Sequence, residues 1–337
     1  MNPRSGLPRV VLAPMAGGPG TVALAAAVGA GGGFPFLPGG YLSPDRLAAD
    51  VEILRAATDR PFGVNLFVPG PDRIELTQRA REYAAALAPM AELAGVELGR
   101  PTWDDDAYAG KLDALVQSPP AVVSFAFGWP GLDDVDRLHR VGAEVWVTLN
   151  DPAEVEWATE LGVDGIVAQG GEAGGHRGGP VDNRRDHPTR DLVRAVRHLA
   201  PARTAVVAAG GVADGLVARA LLDAGADAVA AGTAYLLADE AGTADVHRHA
   251  LHTRSGTVVT RAFTGRSARA LRTMWTERYS DAAPAAYPHV HHVTAPLRRH
   301  GKETGQPELV HLWAGTAHAD ARPGPAEQIT EDLLAAL

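Results

Sequence analysis

The 337-residue chain has no cysteine. Disulfides, thiolate metal sites and a cysteine nucleophile are therefore excluded, although the compartment is not fixed by that absence. Aromatic residues are few, at 6%, no basic cluster is present, and the formal net charge is −9. That balance argues against a partner with a phosphate backbone. No apolar run reaches the roughly 18 residues of a membrane span; VALAAAVGAGGGF is too short and too rich in glycine. The opening MNPRSGLPRVVLAPM lacks the apolar core and cleavage site of a signal peptide. Also missing are a Gly-x-Ser-x-Gly elbow, a Walker lysine, a His-Glu-x-x-His pair and a Gly-x-Gly-x-x-Gly fingerprint. The expectation is a cytoplasmic protein acting on a small molecule, with no nucleic-acid or membrane partner. Homo-oligomerisation is compatible with all of this.

What is present is an alternation of short apolar runs and helical patterns. Apolar residues make up 46% of the chain, enough for a large core. Strands are expected at Val10–Ala13, Phe34–Leu37, Phe62–Phe67, Ala121–Phe125, Glu144–Leu149, Asp164–Ala168, Thr204–Ala209 and Asp227–Ala231. Helical patterns separate them, and VGAEV, LGVDG and AGADA each place a glycine where a helix must end before a strand. Pro89 predicts a kink or break in the helix over Glu75–Leu93. The triplet Asp104-Asp105-Asp106 reads as a solvated helix start rather than a metal site.

Eight strands alternating with helices indicate an α/β fold, a (β/α)8 TIM barrel, with a doubly wound open sheet as the alternative. A barrel typically needs about 250 residues, so the remainder is expected to form a smaller, mainly helical second domain inserted after strand eight. The barrel would take residues 1–237 and about 312–337. Residues 238–311 would form the small substrate or lid unit, and the histidines at 247, 249, 252, 289, 291 and 292 would be exposed or at a pocket rim.

The chemistry concentrates in Asp164 to Gly179, DGIVAQGGEAGGHRGG. A buried strand runs into a polar glycine loop carrying Gln169, Glu172, His176 and Arg177. Active sites of barrels lie at the C-terminal strand ends. Gly210-Gly211 and Gly232-Thr233 follow the seventh and eighth strands, where barrels commonly hold phosphate through backbone N–H groups. A phosphate-bearing cofactor or substrate is expected. With a single cradle and no dinucleotide fingerprint, a mononucleotide fits better than a dinucleotide.

Ala13-Pro14-Met15-Ala16-Gly17-Gly18, Gly39-Gly40-Tyr41, Pro61–Phe67, Val123-Ser124-Phe125 and above all Ala168–Gly178 resemble the nitronate monooxygenases, which are FMN enzymes. The resemblance spans about residues 9–237. It implies oxidation of alkyl nitronates with O2 to carbonyl compounds and nitrite. By position it implies that Met15 and Asn65 line the flavin, that Gln169 bonds its ring and that Gly174 approaches it through backbone. Gly211 and the turn Ala230-Ala231-Gly232-Thr233 would hold the phosphate, and His176 would be catalytic, as His⁺ or as a neutral donor or base. Ala126 and the Ala230-Ala231 pair depart from the family's usual residues; the first bears on the substrate's size and polarity, and the second leaves backbone recognition of phosphate intact. The rival readings are an FMN-dependent enoyl-acyl-carrier-protein reductase, which typically has Glu where Gln169 stands, and a barrel that binds flavin or phosphate without catalysis.

Overall fold

Runs such as Val10–Leu12 and Ala205–Ala209 are apolar on both faces, which suits strands packed between a filled interior and covering helices. The structure, a computed structural model, describes residues 6–182 and 186–337. In chain order the elements begin β1 (Val10–Leu12), α1 (Val22–Ala30), β2 (Phe36–Pro38), α2 (Pro44–Ala57), β3 (Gly63–Phe67), α3 (Ile74–Ala94), α4 (Tyr108–Gln117), β4 (Val122–Ala126) and α5 (Leu132–Arg140). Next come β5 (Glu144–Leu149), α6 (Val155–Glu160), β6 (Gly165–Gln169), β7 (Gly175–His176), α7 (Thr189–Leu199), β8 (Ala205–Ala209), α8 (Gly215–Asp223) and β9 (Ala228–Ala231). The chain ends with α9 (Asp245–Thr253), β10 (Thr257–Thr260), β11 (Ala268–Leu271), α10 (Met274–Tyr279), α11 (His289–Glu303) and α12 (Ala326–Ala335).

Eight strands form one parallel sheet in the order β1-β9-β8-β6-β5-β4-β3-β2. The two edges meet where Val11 bridges Phe34, with Leu12 N donating to Phe34 O at 3.0 Å and Phe34 N to Val10 O at 2.8 Å. The (β/α)8 barrel expected from the sequence is thereby closed. Phe34, Phe36 and Trp146 pack their rings about 6 Å apart. Gly142, Gly162 and Gly225 stand at φ of 84°, 73° and 113°, the left-handed conformation their helix ends require. α12 packs against α1 and α8, and Tyr235 beneath it shares a 2.8 Å hydrogen bond with Thr330.

The later segment contains strands as well as helices. β10 and β11 form an antiparallel hairpin, and β11 continues onto β7, pairing Ala268 with His176 and Arg269 with Gly175. The loop after β6 is thus tied to a sheet whose other strands lie some 80 residues further along the chain. α3 runs through Pro89 without a break. Its apolar stripe, including Tyr83, Leu87 and Met90, packs with Phe263, Trp275, Val290, Val293 and Leu297. Tyr83 Oη donates to Ala262 O at 2.9 Å and accepts from Trp275 Nε1 at 3.3 Å.

Candidate active site

A cavity of about 530 Å³ opens at the C-terminal ends of the barrel strands, within the ordinary range for a small-molecule site. Its apolar lining includes Val11, Phe36, Trp146, Val167 and Val207. Met15, Asn65, Gln169, Gly174, His176, Gly211, Ala230, Gly232 and Thr233 all line it. Ala231 does not: it is fully buried, and its carbonyl accepts Ala13 N at 2.9 Å in the β1–β9 pairing.

The glycine loop is held rigidly. Gln169 Oε1 accepts from Asn150 Nδ2 at 2.8 Å and from Gly178 N at 2.7 Å, while its Nε2 donates to His176 O at 3.0 Å. One amide side chain thus gathers both ends of the loop and keeps a single N–H in hand. Arg177, 1% exposed, donates to the carbonyls of Gly170 and Gly171 and pairs with Asp186, whose other oxygen takes Arg269 Nη2 at 2.6 Å. A Cβ at Gly174 would sit 2.5 Å from Gly315 N, so only glycine permits that approach.

His176 stands among Phe127, Tyr287 and Trp313, at ring distances of 5.4, 6.1 and 5.1 Å. Its Nε2 lies 2.8 Å from Thr264 Oγ1. Burial, reinforced by the Arg266 and Arg298 charges, drives its pKa down to about 3. The ring is therefore neutral at physiological pH. In the tautomer whose Nε2–H points to Thr264 Oγ1, Nδ1 keeps its lone pair. Of the two protonation states the sequence allowed, burial beside Arg266 and Arg298 favours the neutral one.

At the other end Gly211, Gly232 and Thr233 border the cavity, and Thr233 Oγ1 accepts Gly315 N at 3.0 Å. Glu172 turns its carboxylate away to Thr189 N and Oγ1, at 2.8 and 2.5 Å. A glycine-lined end with a short 3₁₀ turn starting at Thr233 can receive a phosphate through backbone donors. The cavity between that end and His176 has the size and apolar lining that a flavin ring needs.

The sequence assigns several lining residues no site role, or at most a place at the pocket rim. Tyr41 sits at φ 66°, held by its N–H to Asp106 Oδ1 at 2.8 Å, and stacks on His291 at 4.6 Å. Asp106 in turn pairs at 2.7 Å with Lys111, whose side chain is 1% exposed. The end of the acidic triplet is therefore a buried clamp rather than a solvated helix start. Arg298, Lys302, His291 and His311 also reach the cavity. Of the two histidine groups, His247 lines the cavity and His289 is buried, while His249 and His252 are exposed. A signal for Arg298 was available, because it falls in register with Val290, Thr294, Leu297 and Gly301 on the buried side of α11. A charge on the apolar face of a helix calls for an explanation.

A barrel with its pocket at the strand ends, a glycine-bordered end and a histidine in an aromatic wall has, as a class, the build of an α/β-barrel enzyme. The family model for nitronate monooxygenase matches residues 5–336. The chain belongs to the nitronate monooxygenase family. It is 34% identical to the nitronate monooxygenase of Pseudomonas aeruginosa, covering 96% of this chain and 95% of that one. Among solved structures, nitroalkane oxidase from Streptomyces ansochromogenes superposes with a TM-score of 0.95 at 40% identity, covering 99% and 97% of the two chains. FabK from Thermotoga maritima superposes less closely, with a TM-score of 0.76 at 25% identity over 97% and 92%. An enoyl reductase domain from Bacillus amyloliquefaciens, 11% identical with a TM-score of 0.59, shares the fold alone. Among the described residues no helix is long and apolar enough to cross a membrane.

Proposed function

We propose that the protein is an FMN-dependent nitronate monooxygenase of the cytoplasm, converting alkyl nitronates and O2 to carbonyl compounds and nitrite. The observation that carries this reading is the neutral His176 in an aromatic wall beside a cavity bordered by Gly211, Gly232 and Thr233. In this reading FMN, when bound, supplies the electron transfer and the reaction with oxygen. Gly211, Gly232 and Thr233 hold its phosphate, Met15 and Asn65 flank its ring, and Gly174 approaches it through backbone. Gln169 has one N–H left for the ring, because its other contacts fix the loop.

His176 positions the substrate and holds the proton acceptor at Nδ1. A pKa near 3 makes it a weak base in the resting protein, so already ionised nitronates suit this site better than neutral nitroalkanes. Residues 238–311, together with α3, act in this proposal as the cap over the barrel mouth.

The test is aerobic nitrite release from an alkyl nitronate by the yellow holoprotein without NADH. Faster consumption of NADH with an enoyl thioester would hand the assignment to the reductase reading. A colourless protein without activity would favour a binding barrel.

A further inference from the structure

Arg298 is left unused by the roles assigned above. Its side chain is buried on α11, 6% exposed, yet it lines the cavity. Nε donates to Thr294 Oγ1 at 3.0 Å and Nη2 to His291 O at 2.8 Å, with Nη2 also 3.2 Å from His291 Nδ1. Nη1 lies 3.5 Å from His311 Nδ1. A guanidinium has five N–H groups, so these four contacts leave one Nη1 N–H open.

No carboxylate of the described residues lies within ion-pairing distance of Arg298. Other buried arginines are placed differently. Arg177 and Arg269 share Asp186, and the half-buried Arg261 nearby pairs with Asp182 at 2.9 Å. Arg266 donates to the Arg177 and Gly179 carbonyls, lies over the Phe127 ring at 4.3 Å and does not reach the cavity. Burying a charge without a counter-ion is costly. A cation kept so at a cavity wall is matched to a negative group that arrives from outside.

Its position says which group. Tyr287 bridges toward His176, with ring distances of 6.1 Å to His176 and 6.3 Å to His291, and His291 touches Arg298. The phosphate border at Gly232 and Thr233 instead faces Ala13, Met15 and Gly315. Histidines 176, 291 and 311 are all pushed toward neutrality, by burial first and then by Arg298 among other neighbours. Lys302, one turn further along α11, also lines the cavity but reaches toward Gly17 O at 3.5 Å.

We propose that Arg298 is the receptor for the substrate's negative charge: its open Nη1 N–H and its positive charge take a nitro oxygen of an alkyl nitronate at the cavity wall. The proposal rests on the function proposed above and names the group that recognises the anion. The surrounding Tyr41, Tyr287, Phe127 and Trp313 favour a short, otherwise uncharged alkyl chain.

The experiment titrates the holoprotein with nitrate, a planar anion that does not react, and follows the flavin absorbance. It also measures kcat and KM for an alkyl nitronate, in wild type, R298K and R298M. Loss of a charged hydrogen-bond partner corresponds to about 10- to 100-fold. R298M should therefore raise the nitrate Kd and the nitronate KM by that factor, with a smaller change in kcat and unchanged FMN content. R298K, which keeps charge but loses the planar fork, should fall between. Unchanged nitrate affinity and KM in R298M overturn the proposal, and so does FMN loss, which would make Arg298 a cofactor anchor. Should R298M not fold, R298K decides alone: a rise in nitrate Kd supports the proposal and an unchanged Kd refutes it. Nitrate binding needs no turnover. A protein that binds nitrate through Arg298 but releases no nitrite keeps the anion receptor and loses the nitronate assignment; active protein with variants of unchanged nitrate affinity and KM does the reverse.

Discussion

If burial holds His176 neutral, unfolding must release it to take up a proton in mild acid, and that uptake can be weighed. The imidazole has a pKa near 3 in the fold and an ordinary value of about 6.5 in the unfolded chain. A histidine whose pKa is depressed by folding contributes its full stability above about pH 6.5 and loses it as pH falls toward the folded value. From those two values the loss is about 1.4 kcal/mol at pH 5.5 and about 2 kcal/mol at pH 5, relative to pH 7.5. These are upper figures, because the ring is only half-buried. His176→Asn removes the term. Urea denaturation of wild type and variant, both without flavin, at the three pH values gives the difference directly. Whatever the variant's stability at pH 7.5, the gap (the stability of wild type minus that of the variant) should fall by up to those amounts as the pH drops. Other groups titrate too: His247, pushed down to about 4, acts in the same direction, and the raised Glu154, Glu144 and Asp106 oppose it. They are common to both proteins and cancel in the difference. A gap independent of pH would mean that His176 titrates normally in the fold. One that widens in acid would mean that the fold favours the charged ring. Either result refutes the neutral imidazole on which the proposed chemistry depends.

Two further outcomes follow from packing. Asp106→Ala leaves Lys111 buried without its carboxylate and should cost about 3–5 kcal/mol in urea denaturation; a loss under about 1 kcal/mol would show that the pair is not buried as described. Gly232→Asp brings a Cβ to 3.3 Å from Ala13 Cβ and a negative charge to the phosphate border. It should lower the FMN content of the purified protein measured after heat release, and full occupancy would place the phosphate elsewhere.

The barrel was legible because each strand is a local event. Val10–Leu12, Ala205–Ala209 and Ala228–Ala231 are apolar on both faces, and Gly142, Gly162 and Gly225 mark helix ends from the sequence alone. The glycine loop was legible for the same reason: its residues are contiguous. The wall opposite was not. β7 becomes a strand only because β11 pairs with it, and ARAL carries no alternation that would announce β11. The weight of Tyr41 depends on Asp106 and Lys111, which are 65 and 70 positions away. Arg298 meets His291 and His311 only once α11 lies across the barrel mouth. Side chains gathered by tertiary contacts leave no periodic trace in the chain.

The packing of α3 against residues 262–309 also sets a timetable for the molecule. Tyr83 waits for partners at Ala262 and Trp275, which lie 179 and 192 positions downstream. At synthesis rates of about 5–20 residues per second that interval is roughly 10 to 40 s. Throughout it the growing chain carries the stripe of Tyr83, Leu87 and Met90 with nothing to cover it. Apolar surface that must wait so long for its native cover is the kind that makes a growing chain prone to aggregation.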